Sequence, residues 1–246
     1  ELLVDDFSAR YIRDTVSRLE AVMTEGWPCW AVSNHDVRRA VTRWGGPSAP
    51  PQLARMLVAL VCSLRGSVCL YQGEELGLPE ADVPFEALRD PYGIAFWPNF
   101  KGRDGCRTPM PWTAGEHGGF TTGQPWLPVP AAHRALNVEA QQADAGSTLC
   151  AVRAFLSWRR REPALVQGGI RFLDTPEPVL AFLREHAGER LLVAFNLSAA
   201  DADVALGDID ARAVDLPGFD LGTLADGRLR LPAYGVFYGR PGAARE

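Results

Sequence analysis

Twice within the first 72 residues, an apolar pattern at helical spacing gives way, after a brief connection, to a short continuous apolar run. The first pattern extends from Ser8 to about Met23, with Ile12, Val16, Leu19, Val22 and Met23 at helical intervals. Gly26 ends it, and the run from Cys29 to Val32 reads as a buried strand. The second covers Gln52 to Leu64 and is apolar on most sides, which predicts a buried helix. Gly66 stops that helix, and "SVCLYQG" again has strand composition. Helix, strand, helix, strand with brief links is the order produced by parallel strands joined through crossover helices. Before the second helix, "GGPSAPP" reads as a loop with Ser48 near the helix start.

The alternation then stops. Residues 73 to about 145 are rich in Gly, Pro, Trp and polar side chains, as in "DPYGIAFWPNFKGRDGCRTPMPWTAGEHGGF". Long ordered loops on a rigid scaffold tend to carry function. Helical spacing resumes from Leu149 to Arg161. Beyond Pro163 the segments "GGIRFLD", "PVLAFLRE", "RLLVAFNLS" and "LRLPAYGVFYGR" are short and β-rich, separated by Gly, Pro and Asp. The expected organisation is α/β: residues 1–162 form part of a parallel barrel that includes the loop 73–145, and residues 163–246 form a small β-sandwich.

Composition narrows the function. Hydrophobic residues make up 47% of the 246, enough for a core. The net charge of −5, with acids and bases interspersed, argues against a nucleic-acid surface. No apolar run approaches the length of a membrane span. Five scattered cysteines without a C-x-x-C spacing predict free thiols in a reducing, cytoplasmic compartment. Four histidines with no pair at ligand spacing predict no metal site, and no cofactor is expected.

The polar stretch "SNHDVRR" follows the first strand directly. Taken by itself it reads as a capped turn, with Asn34 or Asp36 as the cap, His35 hydrogen-bonded and Arg39 paired to an acid. Its position favours a site, because enzymes built on (β/α)8 barrels work at the carboxyl ends of their strands. The second strand also ends in an acid-rich stretch, "YQGEELGLPE", and the aromatic loop follows it. The chemistry suggested is glycoside cleavage. A cationic, oxocarbenium-like transition state calls for carboxylates, and sugar hydroxyls call for donors and acceptors. Asp36 can accept from two sugar hydroxyls, His35 can donate to one, and loop aromatics can stack on sugar faces.

The motifs are specific enough to suggest a family. "SNHDVRR" resembles the fourth conserved region of the α-amylase superfamily, glycoside hydrolase family thirteen, at the end of the seventh barrel strand. "GSVCLYQGEELGLPE" resembles the eighth strand and its exit. "GRDGCRTPMPW" is similar to the R-D-x-x-R-T-P-M-x-W signature of the α-glucosidase and oligo-1,6-glucosidase branch, with "DGC" and Pro111 departing from the commoner spelling. The resemblance implies the last strands and helices of a (β/α)8 barrel followed by an all-β domain. It implies that Asp36 is the third catalytic carboxylate, which stabilises the transition state without forming a bond. His35, Arg39 and Arg103 would contact the sugar, Arg103 at its non-reducing end, and Glu80 would face the leaving-group or acceptor side. The substrates implied are small α-glucosides of maltose, isomaltose or sucrose type.

Simpler roles remain open for several of these groups. Arg103 and Asp104 can form a structural ion pair, Glu74 can anchor a loop beside a solvated Glu75, and Trp112 and Trp126 can be loop core. Asp5 and Asp6 read as turn or cap residues. The chain starts at Glu1 within "ELLVDDF", which reads as an interior segment just after the sixth strand begins. The nucleophile and the acid/base of the family belong to the fourth and fifth strands. The expectation is therefore a chain that is inactive and aggregation-prone without the missing N-terminal half of the barrel. The competing reading is a catalytically dead relative that serves as a binding or assembly subunit.

Overall fold

The computed structural model describes residues 2–23 and 25–242; Glu1, Thr24 and residues 243–246, including the end of the expected β module, lie outside the described residues. Helix α1, Ala9–Val22, starts at Ser8, whose hydroxyl accepts from the Tyr11 N–H at 3.1 Å. The Glu177 carboxylate completes this start by accepting from the N–H groups of Ala9 and Arg10 at 3.0 and 2.8 Å. Asp6 is a turn residue, accepting from the Ser8 N–H at 3.0 Å. Strand β1, Cys29–Trp30, and strand β2, Ser67–Val68, pair in parallel with Cys29 opposite Ser67. Between them lie α2, Ala40–Gly45, and α3, Pro51–Ser63.

The two strands are shorter than their apolar runs. Among the described residues they pair only with each other, so the ladder ends within two residues. Helix α2 falls where the sequence showed only the polar motif and a loop. Helix α3 begins at Pro51, where a missing N–H costs nothing, and is buried from Leu53 to Ser63 save Arg55. Ser48 takes no part, because the cap position is Pro50 and no side chain bonds there.

The long segment is ordered by short elements. Helices α4, Pro91–Ala95, α5, Ala131–Ala135, and α6, Val138–Ala143, are accompanied by 3-10 turns, two before α4 and two between α4 and α5. Two small apolar clusters fix it. One joins Leu76, Leu78, Met110 and Leu149; the other joins Ala81, Val83, Leu88 and Leu127. Helix α7, Thr148–Arg159, is capped by Ser147, and α8, Pro163–Gln167, follows it.

Among the described residues, eight strands follow α8. They are β3 Gly169–Phe172, β4 Val179–His186, β5 Glu189–Asn196, β6 Ala202–Ala205, β7 Ala211–Ala213, β8 Thr223–Ala225, β9 Arg228–Leu231 and β10 Val236–Pro241. They form a five-stranded sheet in the order β3-β4-β5-β10-β7 and a three-stranded sheet in the order β6-β9-β8. Side chains alternate faces along a strand, and here both faces of the larger sheet are covered. Leu180, Phe182, Val193, Phe195 and Tyr238 face the helices. Val179, Ala181, Leu183, Leu192 and Phe237 face the smaller sheet. Burial on both sides explains why β4 and β5 read as continuous apolar runs. The junction expected near Pro163 falls in the turn between α7 and α8, and one hydrophobic core runs across it. Phe155 and Trp158 of α7 meet Tyr238 of β10 with ring centroids 5.8 and 5.1 Å apart.

Candidate active site

The segment that leaves β1 carries the polar motif to the carboxyl end of the strand. Asn34 does act in a turn, its Oδ1 accepting from the Asp36 N–H at 2.8 Å. That turn presents the Asp36 side chain, 48% exposed, to the long segment. Two guanidinium groups converge on its Oδ1. Arg103 Nη1 donates at 2.9 Å and Arg107 Nη2 at 2.8 Å, although these residues are 67 and 71 positions away in the chain. His35 Nε2 lies 3.3 Å from the other carboxylate oxygen. Arg107 Nε also donates to the His35 carbonyl at 2.6 Å. Partial desolvation pushes the Asp36 carboxyl upward, but Arg103, His35 and Arg107 outweigh it and hold the group below the usual carboxylate range.

The signature segment delivers both arginines from the two ends of one 3-10 turn, Asp104–Cys106, and both reach Asp36. Asp104 is fully buried and accepts from the N–H groups of Arg89 and Asp90 at 2.6 and 2.8 Å. It forms no ion pair with Arg103, whose carboxylate partners are Asp90 and Asp36.

Two residues expected at the sugar, Arg39 and Glu80, make framework hydrogen bonds in the structure. Arg39 is 2% exposed, and its Nη1 and Nη2 donate to the carbonyls of Gln72 and Cys106 at 2.7 and 3.0 Å. It ties the exit of β2 to the signature segment. Glu80 accepts from the Arg39 N–H at 2.9 Å, and its own N–H donates to Thr42 Oγ1 at 2.8 Å. Burial raises the Glu80 pKa, opposed by that Arg39 hydrogen bond. Its contacts are within the loop framework, not with Asp36, His35 or Arg103.

The acids nearby make structural contacts. Glu74 accepts from the Tyr71 N–H at 3.0 Å, and burial pushes its pKa up to about 7. Glu75 accepts from the Gly73 N–H at 2.8 Å. Asp5 stands 3.8 Å from Arg38. Trp112 and Trp126 are exposed and so are not loop core. Arg107, four residues after Arg103 in the signature, is a site residue that this spacing signals in the sequence. Asp90 gave no such signal, because "RDPYG" reads as a helix cap. Its side chain does accept from the Tyr92 N–H at 3.2 Å. Among the described residues, no three His, Cys, Asp or Glu side chains gather as a metal site, and no helix is long and apolar enough to cross a membrane.

A β/α repeat with a half-exposed carboxylate, an imidazole and two guanidinium groups at the carboxyl end of its strands is the arrangement expected at the active face of a (β/α)8 barrel. Residues 4–168 match the family described as alpha amylase, catalytic domain, and residues 170–237 match maltogenic amylase, C-terminal domain. The chain belongs to the α-amylase family of glycoside hydrolases, as the C-terminal part of its barrel followed by its all-β domain. A probable alpha-glucosidase from Rhizobium meliloti (strain 1021) is 42% identical over 240 residues, which covers 97% of this chain and 43% of that protein. A probable oligo-1,6-glucosidase 2 from Bacillus subtilis (strain 168) is 32% identical over 217 residues, 76% of this chain and 38% of that protein. The crystal structure of an alpha-glucosyl transfer enzyme, XgtA, superposes with a TM-score of 0.95 at 64% identity, covering 98% of this chain and 45% of that one. The chain thus spans less than half the length of each of these relatives.

Proposed function

We propose that this chain is the C-terminal portion of a retaining, exo-acting α-glucosidase that releases terminal α-linked glucose from short oligosaccharides or sucrose, to water or to an acceptor hydroxyl. The observation that carries the proposal is the Asp36 carboxylate, fixed at the strand mouth by Arg103 and Arg107 and kept ionised. A fixed anion there opposes the positive charge that develops on the glucose ring as the glycosidic bond breaks. His35 supplies a donor to the same ring, and Arg103 meets its non-reducing end.

Retaining cleavage also needs two carboxyl groups about 5 Å apart across the scissile bond. Asp36 faces cations and an imidazole, and on this reading that pair belongs to the length of the relatives that the chain does not span. The chain is therefore inactive alone, and its unpaired strand edges favour aggregation until the upstream part covers them. Similarity to a glucosyl transfer enzyme supports transfer to acceptor alcohols beside hydrolysis. Free thiols support a cytoplasmic setting.

The test joins the chain to its upstream sequence and assays a nitrophenyl α-glucoside with and without an alcohol acceptor. Asp36→Ala is expected to lower kcat by at least ~100-fold. Near wild-type turnover of that variant would remove the assignment. A full-length protein that folds but has no turnover would instead favour the binding-subunit reading.

A further inference from the structure

Arg103 reaches Asp36 with only one of its guanidinium nitrogens. The other two are gripped by Asp90, which is 2% exposed and outside every motif that marks the site. Asp90 Oδ2 accepts from Arg103 Nε at 2.9 Å and from the Arg103 backbone N–H at 2.8 Å, and Oδ1 accepts from Nη2 at 3.1 Å. This is a bidentate fork, which fixes the plane of the guanidinium as a single contact does not. The fork is itself braced. Asp104 accepts from the Asp90 N–H at 2.8 Å, and the Tyr92 ring lies 5.6 Å from the guanidinium carbon of Arg103. A Cβ on Gly102 would stand 2.9 Å from Asp90 Oδ2, so a side chain there would press on the grip.

We propose that Asp90 is a positioning residue of the Asp36 site: it aims Arg103 Nη1 at Asp36 and neutralises the arginine behind it. The inference rests on the reading of Asp36 as the transition-state anion. Two physical consequences follow from the geometry. Without the fork, the long Arg103 side chain samples other rotamers, and a displacement of about 1 Å at such a site can cost ~100-fold in rate. Without the Asp90 charge, Asp36 alone offsets the two guanidinium groups of Arg103 and Arg107, leaving net positive charge where positive charge develops on the sugar, which opposes the reaction. The Asp90 carboxyl is suited to this, because the hydrogen bonds from Arg103 hold it down at about 2 and keep it anionic.

The experiment is a double-mutant cycle in the full-length protein, using wild type, Asp90→Asn, Arg103→Met and the double variant. Kinetics on a nitrophenyl α-glucoside are read at a temperature where melting curves show all four folded. Asp90→Asn is expected to lower kcat/KM by roughly tenfold or more, and to change it by less than about threefold once Arg103 is Met. A wild-type kcat/KM for Asp90→Asn overturns the proposal. So does a loss of equal size in both backgrounds, which marks a structural role that does not act through Arg103. If Asp90→Asn does not fold, Asp90→Glu, which keeps the charge on a longer stem, is read in the same cycle with the same two outcomes. Asp36→Ala in the same assay separates the layers. If it is active, the functional reading fails; if it is inactive while Asp90 is uncoupled from Arg103, only the positioning role fails.

Discussion

Arg184 Nη1 donates to the Ser63 carbonyl at 2.6 Å, joining the β domain to the last residue of the buried helix α3. Its Nη2 and Nε donate to the carbonyls of Gly168 and Gly169 at 2.7 and 3.0 Å. Arg184 is fully buried, and burial pulls its pKa down to about 10, so it remains charged at neutral pH. Two of its partners, the Ser63 and Gly168 carbonyls, sit at the ends of α3 and α8, where the helix dipoles are negative.

Replacing Arg184 by Met removes the donors of three carbonyls at once. The expected loss of unfolding free energy is roughly 3–5 kcal/mol, measured by denaturant titration of the full-length protein. Arg184→Lys is expected to recover only part of it, since an ammonium cannot match the fork.

Arg107 binds both the Asp36 carboxylate and the His35 carbonyl. Arg107→Lys keeps one charge but cannot hold both partners, and Arg107→Ala holds neither. The expected order of kcat/KM is wild type, then Lys, then Ala, with Ala down by roughly 10- to 100-fold. Equal kinetics for all three would remove Arg107 from the site.

Gly105 gives the "DGC" spelling of the signature a physical reason. Its carbonyl accepts from the Ala81 N–H at 3.1 Å, and an added Cβ would stand 2.5 Å from the Ala81 carbonyl and collide with the Glu80 carboxylate. Gly105→Ala is expected to destabilise the protein by roughly 1–3 kcal/mol, read as a lower Tm. Because the same turn aims Arg103 and Arg107, kcat/KM is expected to fall with it.

Two buried groups titrate against each other. His133 is fully buried, donates from Nε2 to the Pro79 carbonyl at 2.8 Å, and has Nδ1 3.2 Å from the Thr108 hydroxyl. Burial lowers its pKa from 6.5 to about 4. Its contribution to stability is present above pH 6.5 and is lost as pH falls toward 4. Glu74 is raised from 4.5 to about 7 by burial, so its contribution is present below pH 4.5 and is lost as pH rises through 7. Over pH 4.5 to 6.5 the two slopes oppose each other. Relative to wild type, stability of His133→Gln is expected to fall with pH and that of Glu74→Gln to rise, each by at most about 1.4 kcal/mol per pH unit. Denaturant midpoints at pH 5 and 6.5 check both signs.

Much of this fold is written in local pattern. The helices around Val16, Leu57 and Val152 follow from apolar spacing, and β4 and β5 from their continuous hydrophobic runs. Strands β6, β7 and β8 are short and bury few side chains, so their segments carry little pattern. At the site, the residue types around Asp36 and the signature around Arg103 both pointed to one place. What pattern could not resolve is direction. Arg39 lies three positions beyond Asp36, yet its side chain turns inward, where the carbonyls of Gln72 and Cys106 accept from its guanidinium. Asp90 was hidden for the opposite reason. Its hydrogen bond to the Tyr92 N–H is that of an ordinary cap, and its grip on Arg103 exists only in three dimensions.

The aromatic contact of Phe155 and Trp158 with Tyr238, extended to Phe195 at 6.1 Å, bears on how such proteins can be recombined. A seam cut in the turn before Pro163 looks convenient in the linear text but divides a single interlocked stack of rings. Exchanging the C-terminal module between relatives therefore succeeds only when the donor's counterparts of Phe195 and Tyr238 travel together with those of Phe155 and Trp158.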